Sequence, residues 1–129
     1  MKSWNEHDLF LYLQTCCYPD LVKARKQMSK WDCYSPISKH RIELKCRGAH
    51  YDTLLIEKKK YDAMISKADE NLDIPIYINS TPQGVYKFNL YLVKPKWEIQ
   101  YHNKTTHFSN NNKIKKEVAM LPVIDAEIL

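Results

Sequence analysis

The chain has 129 residues, 44% hydrophobic and 27% charged, which suits one folded domain and excludes a disordered or low-complexity protein. No run of eighteen apolar residues occurs, and the opening Met1–Glu6 lacks the layout of a secretory signal; a protein without a membrane span, residing in a reducing cytoplasm, is expected. The net charge is +5, and its placement says more than its size: between Val22 and Arg47 eight basic residues surround only two acids, Asp32 and Glu43.

In chain order, Leu9, Phe10, Leu13 and Cys17 recur at helical spacing, with Ser3 and Glu6 set as a capping box. Pro19 interrupts this helix, and Leu21 to Met28 reads as a second helical stretch. The period then changes. Trp31–Tyr34 and Arg41–Arg47 alternate polar and apolar residues around a turn at Ser35–Ser38, which predicts two antiparallel strands. From Glu57 a helix is predicted, with Tyr61, Met64, Ile65 and Ala68 on one face and Asn71 and Pro75 bounding its end. Ile74–Asn79 and Val85–Val93 are β-rich and joined by a loop of hairpin length, Ser80–Gly84. After Pro95 the pattern weakens to an irregular tail with a polar loop at Ser109–Asn112, and the apolar end, Val118–Leu129, suits docking on the domain or dimerisation. The four cysteines form no CxxC pair and the five histidines no HxxxH spacing, so no zinc site is indicated and the thiols are expected to be free.

The strand Arg41–Arg47 carries the chemistry. Alternation puts Ile42, Leu44 and Cys46 on one face and Arg41, Glu43, Lys45 and Arg47 on the other, about 7 Å apart per step. Asp32, on the preceding strand, can come beside Glu43 on the polar face. Two carboxylates held together repel, and a divalent cation relieves that repulsion; hard oxygen ligands suit magnesium or manganese. Lys45 then reaches the water beside the metal. A second E-x-K, Glu57-Lys58-Lys59, starts a helix, where residues two apart do not face each other.

Asp32 followed by Glu43-Leu44-Lys45 and a helix resembles the PD-(D/E)XK nuclease superfamily, with small resolvase-like and phage-encoded endonucleases the nearest in style. The resemblance spans roughly residues 3–93, leaving 94–129 as an extension of one nuclease-like domain, 1–129. It implies a mixed α/β fold: a restriction-endonuclease-like core with a central mixed β-sheet flanked by helices. It also implies that Asp32 and Glu43, with the Leu44 carbonyl, bind magnesium and that Lys45 assists the attacking water. Glu6, with Asp8 close behind, is the candidate acid on the first helix, and Lys59 or Lys60 the basic residue of the helix after the motif. The usual proline before the Asp is absent; Trp31 stands there. The function implied is magnesium- or manganese-dependent hydrolysis of DNA, structure-selective or nonspecific, with Arg41, Arg47 and Lys60 contacting the phosphate backbone and a homodimer suited to a two-site role. A catalytically inactive nucleic-acid-binding or protein-interaction module on the same fold is the alternative.

Overall fold

The computed structural model describes residues 4–25, 31–103 and 113–129. Helix α1 (Glu6–Cys16) opens the chain. It is followed by β1 (Val22–Lys23), β2 (Cys33–Ser35), β3 (His40–Cys46) and β4 (Thr53–Glu57). Helix α2 (Lys58–Asn71) continues directly from β4. Then come β5 (Ile74–Thr81), β6 (Gly84–Asn89), β7 (Glu98–Asn103), β8 (Lys113–Pro122) and the two-residue β9 (Glu127–Ile128). Among the described residues no helix is long and apolar enough to cross a membrane.

The strands form two sheets. The central one runs β1-β2-β3-β5-β6-β9, antiparallel except where β3 and β5 pair in parallel; the smaller one runs β4-β8-β7. The parallel pair requires a crossover, which β4 and α2 supply. Residues of β5 are buried almost throughout because both faces of the sheet are covered. On one face Ile42, Leu44, Ile76 and Ile78 pack against Leu9, Phe10 and Leu13 of α1. On the other, Tyr77, Tyr86 and Phe88 pack against Met64 of α2 and against Leu54, Ile56, Ala119 and Leu121 of the smaller sheet. This is the expected mixed α/β arrangement, a central mixed sheet with a helix on either side.

Several local expectations change. The capping pair of α1 is Asn5 and Asp8, whose side chains and backbone N–H groups bond reciprocally; Ser3 lies outside the described residues. Val22 and Lys23 are not helical. They pair with Tyr34 and Cys33 instead, because β2 would otherwise be an open edge, and residues 26–28 of the expected second helix lie outside the described residues. The β5–β6 hairpin turns on two residues, Pro82 and Gln83, and β6 ends at Asn89. Residues 98–103 and 113–117, expected as an irregular tail, belong to β7 and β8; the end of β8 carries Val118, Ala119 and Leu121, which are buried as docking of the apolar end requires, and the polar loop at Ser109–Asn112 lies outside the described residues. Cys33 and Cys46 are free, whereas the adjacent Cys16 and Cys17 are joined as a disulfide rather than left as thiols.

Candidate active site

Strand β3 sits at the centre of the main sheet and sets the geometry. Its register against β2 pairs Cys33 with Ile42, so Asp32 lies just outside the end of β2 and beside β3. The Asp32 backbone N–H donates to the Ile42 carbonyl at 2.8 Å, and the Leu44 N–H donates to Asp32 Oδ2, also at 2.8 Å. In a strand a residue's N–H and C=O point to the same side. The Leu44 carbonyl therefore faces the same edge as the Asp32 carboxylate.

Glu43 projects from the opposite side-chain face to Leu44, next to Tyr77 of β5 in register. Its carboxyl is 14% exposed, and Lys60 Nζ of α2 lies 3.3 Å from Oε2. Burial, then the Asp32 charge, push the Glu43 carboxyl up to about 7, with Lys60 opposing and a hydrogen bond to Asp32 adding to the rise. The sequence-predicted pair is therefore brought together. Glu6, at the start of α1, joins it electrostatically: its carboxyl is raised by burial and by Asp32, against Lys23. Asp8, the other candidate acid, is held by the Asn5 backbone as a helix cap.

Glu43, Lys45 and Lys60 line a cavity of about 350 Å³ with Arg47, Leu55, Glu57, Tyr77 and His102. Larger concavities lie elsewhere, about 750 Å³ over the first turn of α2 and β8, and about 600 Å³ between His40, Lys87 and Glu127. Neither is lined by Glu43, the acid whose carboxyl Asp32 perturbs, so chemistry rather than volume selects the smaller one. Among the described residues no three His, Cys, Asp or Glu side chains are grouped to hold a metal ion.

The two arginines of β3 are engaged inside the protein. Arg41 Nε lies 2.5 Å from Asp73 Oδ2, and its guanidinium stacks over Trp31 and Tyr34, 4.8 and 5.0 Å from their ring centroids. Arg47 donates to Asn79 Oδ1 and to the Leu55 carbonyl, each at 2.7 Å, and to Tyr77 Oη at 3.2 Å. It clips the edge of β4 onto the central sheet. Of the basic residues between Lys23 and Arg47, Lys26 and Lys30 lie outside the described residues, and Lys23 sits beside His7 and Phe10 of α1. Lys45 remains exposed at the cavity. In the second E-x-K, Glu57 pairs with Lys116 and Lys58 with Asp62, both at 2.7 Å.

Among solved structures the chain is similar to Hjc, a Holliday junction resolvase from the archaeal hyperthermophile Archaeoglobus fulgidus. The fold is resolvase-like. The TM-score is 0.54 over 91% of this chain and 87% of that one, at 13% sequence identity, so the likeness is one of backbone path. The restriction-endonuclease-like core expected from the sequence is thereby found. No family model and no curated protein matches the sequence.

His102 is the site residue that sequence reasoning missed. It lies in a segment read as irregular, and only the pairing of β7 with β8 carries it to the cavity. The alternation Glu98-Ile99-Gln100-Tyr101-His102 was the available signal.

Proposed function

We propose that the chain is a divalent-metal-dependent endonuclease that hydrolyses phosphodiester bonds in DNA. The observation that carries this reading is the half-buried Asp32–Glu43 pair, in which burial first and the Asp32 charge second hold the Glu43 proton up to about pH 7. A fold invests in such a pair where a cation relieves it. The donor set fits magnesium or manganese: two carboxylates, with the Leu44 carbonyl directed to the Asp32 edge, and Glu6 within electrostatic reach. Magnesium characteristically takes one or two carboxylates and keeps several waters, so a three-carboxylate cage is not required.

A bound ion would polarise the phosphate and acidify a water. The chain's own residues do the rest. Asp32 is oriented by the Leu44 N–H before any ligand arrives. Lys45, two residues beyond Glu43 on the same face, holds the attacking water and stabilises negative charge as the phosphorane forms. Lys60 offsets the Glu43 charge, and with a cation held by Asp32 and Glu43 it would be available to the phosphate backbone. Arg41 and Arg47 act as framework residues, so the contacts to DNA fall to Lys45 and Lys60. Similarity to a junction resolvase makes branched DNA the first substrate to test and a homodimer the matching assembly, since resolving a junction needs two cuts.

The competing reading is a binding module without turnover, favoured by the lack of a three-ligand cluster among the described residues. A cleavage assay on branched, duplex and single-stranded DNA, with and without magnesium or manganese, separates the two. Metal-dependent products that vanish with chelator support the nuclease; binding without products at any metal concentration supports the module.

A further inference from the structure

Strand β7 presents Glu98, Gln100 and His102 on one face, two residues apart, and His102 at its end lines the cavity with Glu43, Lys45 and Lys60. The three side chains form a relay. Gln100 Nε2 donates to Glu98 Oε1 at 3.3 Å, and Gln100 Oε1 lies 3.0 Å from His102 Nε2. Glu98 is an acceptor only, so it fixes the amide nitrogen of Gln100 on its own side and the amide oxygen toward the histidine. An amide oxygen accepts but cannot donate. The proton therefore sits on His102 Nε2, and Nδ1 is left as the ring atom with no assigned partner among the described residues.

The geometry points to His102 as a substrate-contacting residue, its Nδ1 meeting a phosphate of the strand that lies against Glu43 and Lys45. This deepens the nuclease reading and rests on it. With Nε2 committed to Gln100, Nδ1 is the ring atom for which no partner is found among the described residues, and as Nδ1–H it would donate to an anionic oxygen. The groups around it are mixed in sign: Glu43, Lys45 and Arg47 on β3, Glu57 on β4, Lys60 on α2, Tyr77 on β5, Glu98 on its own strand and Lys116 on β8. Lys60 is paired to Glu43 and Lys116 to Glu57, so these acids already have cationic partners, and Glu98 reaches His102 only through the Gln100 amide. Strand β7, through His102, thereby becomes a second wall of the site alongside β3.

The test uses the full chain and labelled branched DNA, in two measurements: steady-state cleavage with magnesium, and binding to an Asp32→Asn background that does not cut. His102→Ala is expected to weaken binding and raise KM by about tenfold, with kcat falling less. His102→Asn places an amide donor where Nδ1 was and should recover most of the affinity, whereas His102→Gln, which mimics Nε2, should not. Gln100→Ala should give part of the His102→Ala loss. Circular dichroism of each variant checks folding. If the wild type cleaves and His102→Ala matches it in KM and affinity, or if Gln rescues as well as Asn, this inference is overturned while the nuclease reading stands. If the wild type neither binds nor cleaves DNA under any condition, both fall.

Discussion

Glu43 carries two opposing influences, burial with the Asp32 charge pushing its carboxyl up and the Lys60 ammonium pulling it down, and the first pair wins. The consequence for stability has a definite sign. An ordinary glutamate titrates near 4.5 and this one near 7, so between those values the folded chain keeps a proton that the unfolded chain has lost. The stabilisation is complete below pH 4.5, declines above it and is gone beyond about pH 7. His40, lowered by burial to about 4, acts in the opposite sense below 6.5, so the clean measurement is a difference. The Tm of metal-free Glu43→Gln should rise relative to wild type as pH goes from 5 to 8. A gap that stays constant or shrinks means that the pair does not repel in solution. Added magnesium should raise the wild-type Tm more at pH 8 than at pH 5.5, and leave Glu43→Gln nearly unmoved. In cleavage, Asp32→Asn, Glu43→Gln and Lys45→Ala should each lose at least about a hundredfold in rate, as expected for groups acting on transition-state charge. Lys58→Ala and Lys59→Ala, in the second E-x-K, should stay within a few-fold; equal losses at both motifs would remove the assignment. The acids and Lys45 were legible in the sequence because a strand's period of two fixes which side chains share a face. The fate of Arg41 and Arg47 was not. Their partners, Asp73, Asn79 and Tyr77, lie about thirty residues further along the chain, and alternation cannot reveal which charges on a face are already spent.

Among the elements, β3, α2 and the β5–β6 hairpin were readable because each satisfies one period and ends in a turn signal. Strand β4 was not. Its five residues, Thr53–Glu57, run without punctuation into α2, and its partner β8 is about sixty residues away. The junction between them has a cost: Lys58, Lys59 and Lys60 occupy the first turn of α2, where the helix dipole disfavours cations, and no side chain caps that end. Lysines kept in such a place serve something other than helix stability, consistent with Lys60 at the site. The far end of α2 is also strained. Leu72 adopts the left-handed conformation with φ 56° and is 84% exposed, so it has the strain without the packing. Leu72→Gly should raise stability by about 1 kcal/mol in urea unfolding, since glycine occupies this region freely. Arg41→Ala should do the reverse, at about 3–5 kcal/mol, because it leaves the Asp73 carboxylate, 3% exposed, without its counter-charge. An unchanged urea midpoint for Arg41→Ala would mean that its guanidinium is free in solution, returning it to the surface contacts first expected.

Across the whole molecule, a net charge of +5 must be reconciled with a site built on acids. The basic run from Lys23 to Arg47 suggested a continuous positive rim, but folding distributes it: Arg41 and Arg47 turn inward, Lys23 goes to α1, and Lys45 alone of the described residues of that run stays exposed at the cavity. Lys60 arrives from α2, a different part of the chain. Contact with DNA should therefore draw on a few lysines from several elements, a pattern that salt dependence can count. Each phosphate contact on duplex DNA adds about 0.9 to the slope of log affinity against log salt. In the Asp32→Asn background, which removes cutting and one repulsive acid, binding to branched and duplex DNA should weaken steadily as salt rises. Lys45→Ala and Lys60→Ala should each make the slope shallower by about one contact and should add when combined, since they sit on separate elements. Arg41→Ala, compared at a temperature where it remains folded, should leave the slope where it was. Loss of slope on Arg41→Ala with none on Lys60→Ala would mean that DNA approaches from the Trp31–Tyr34 side and not through the cavity. Binding that ignores salt altogether would place the interaction on a protein partner instead, because a polyanion cannot be held without releasing its counterions.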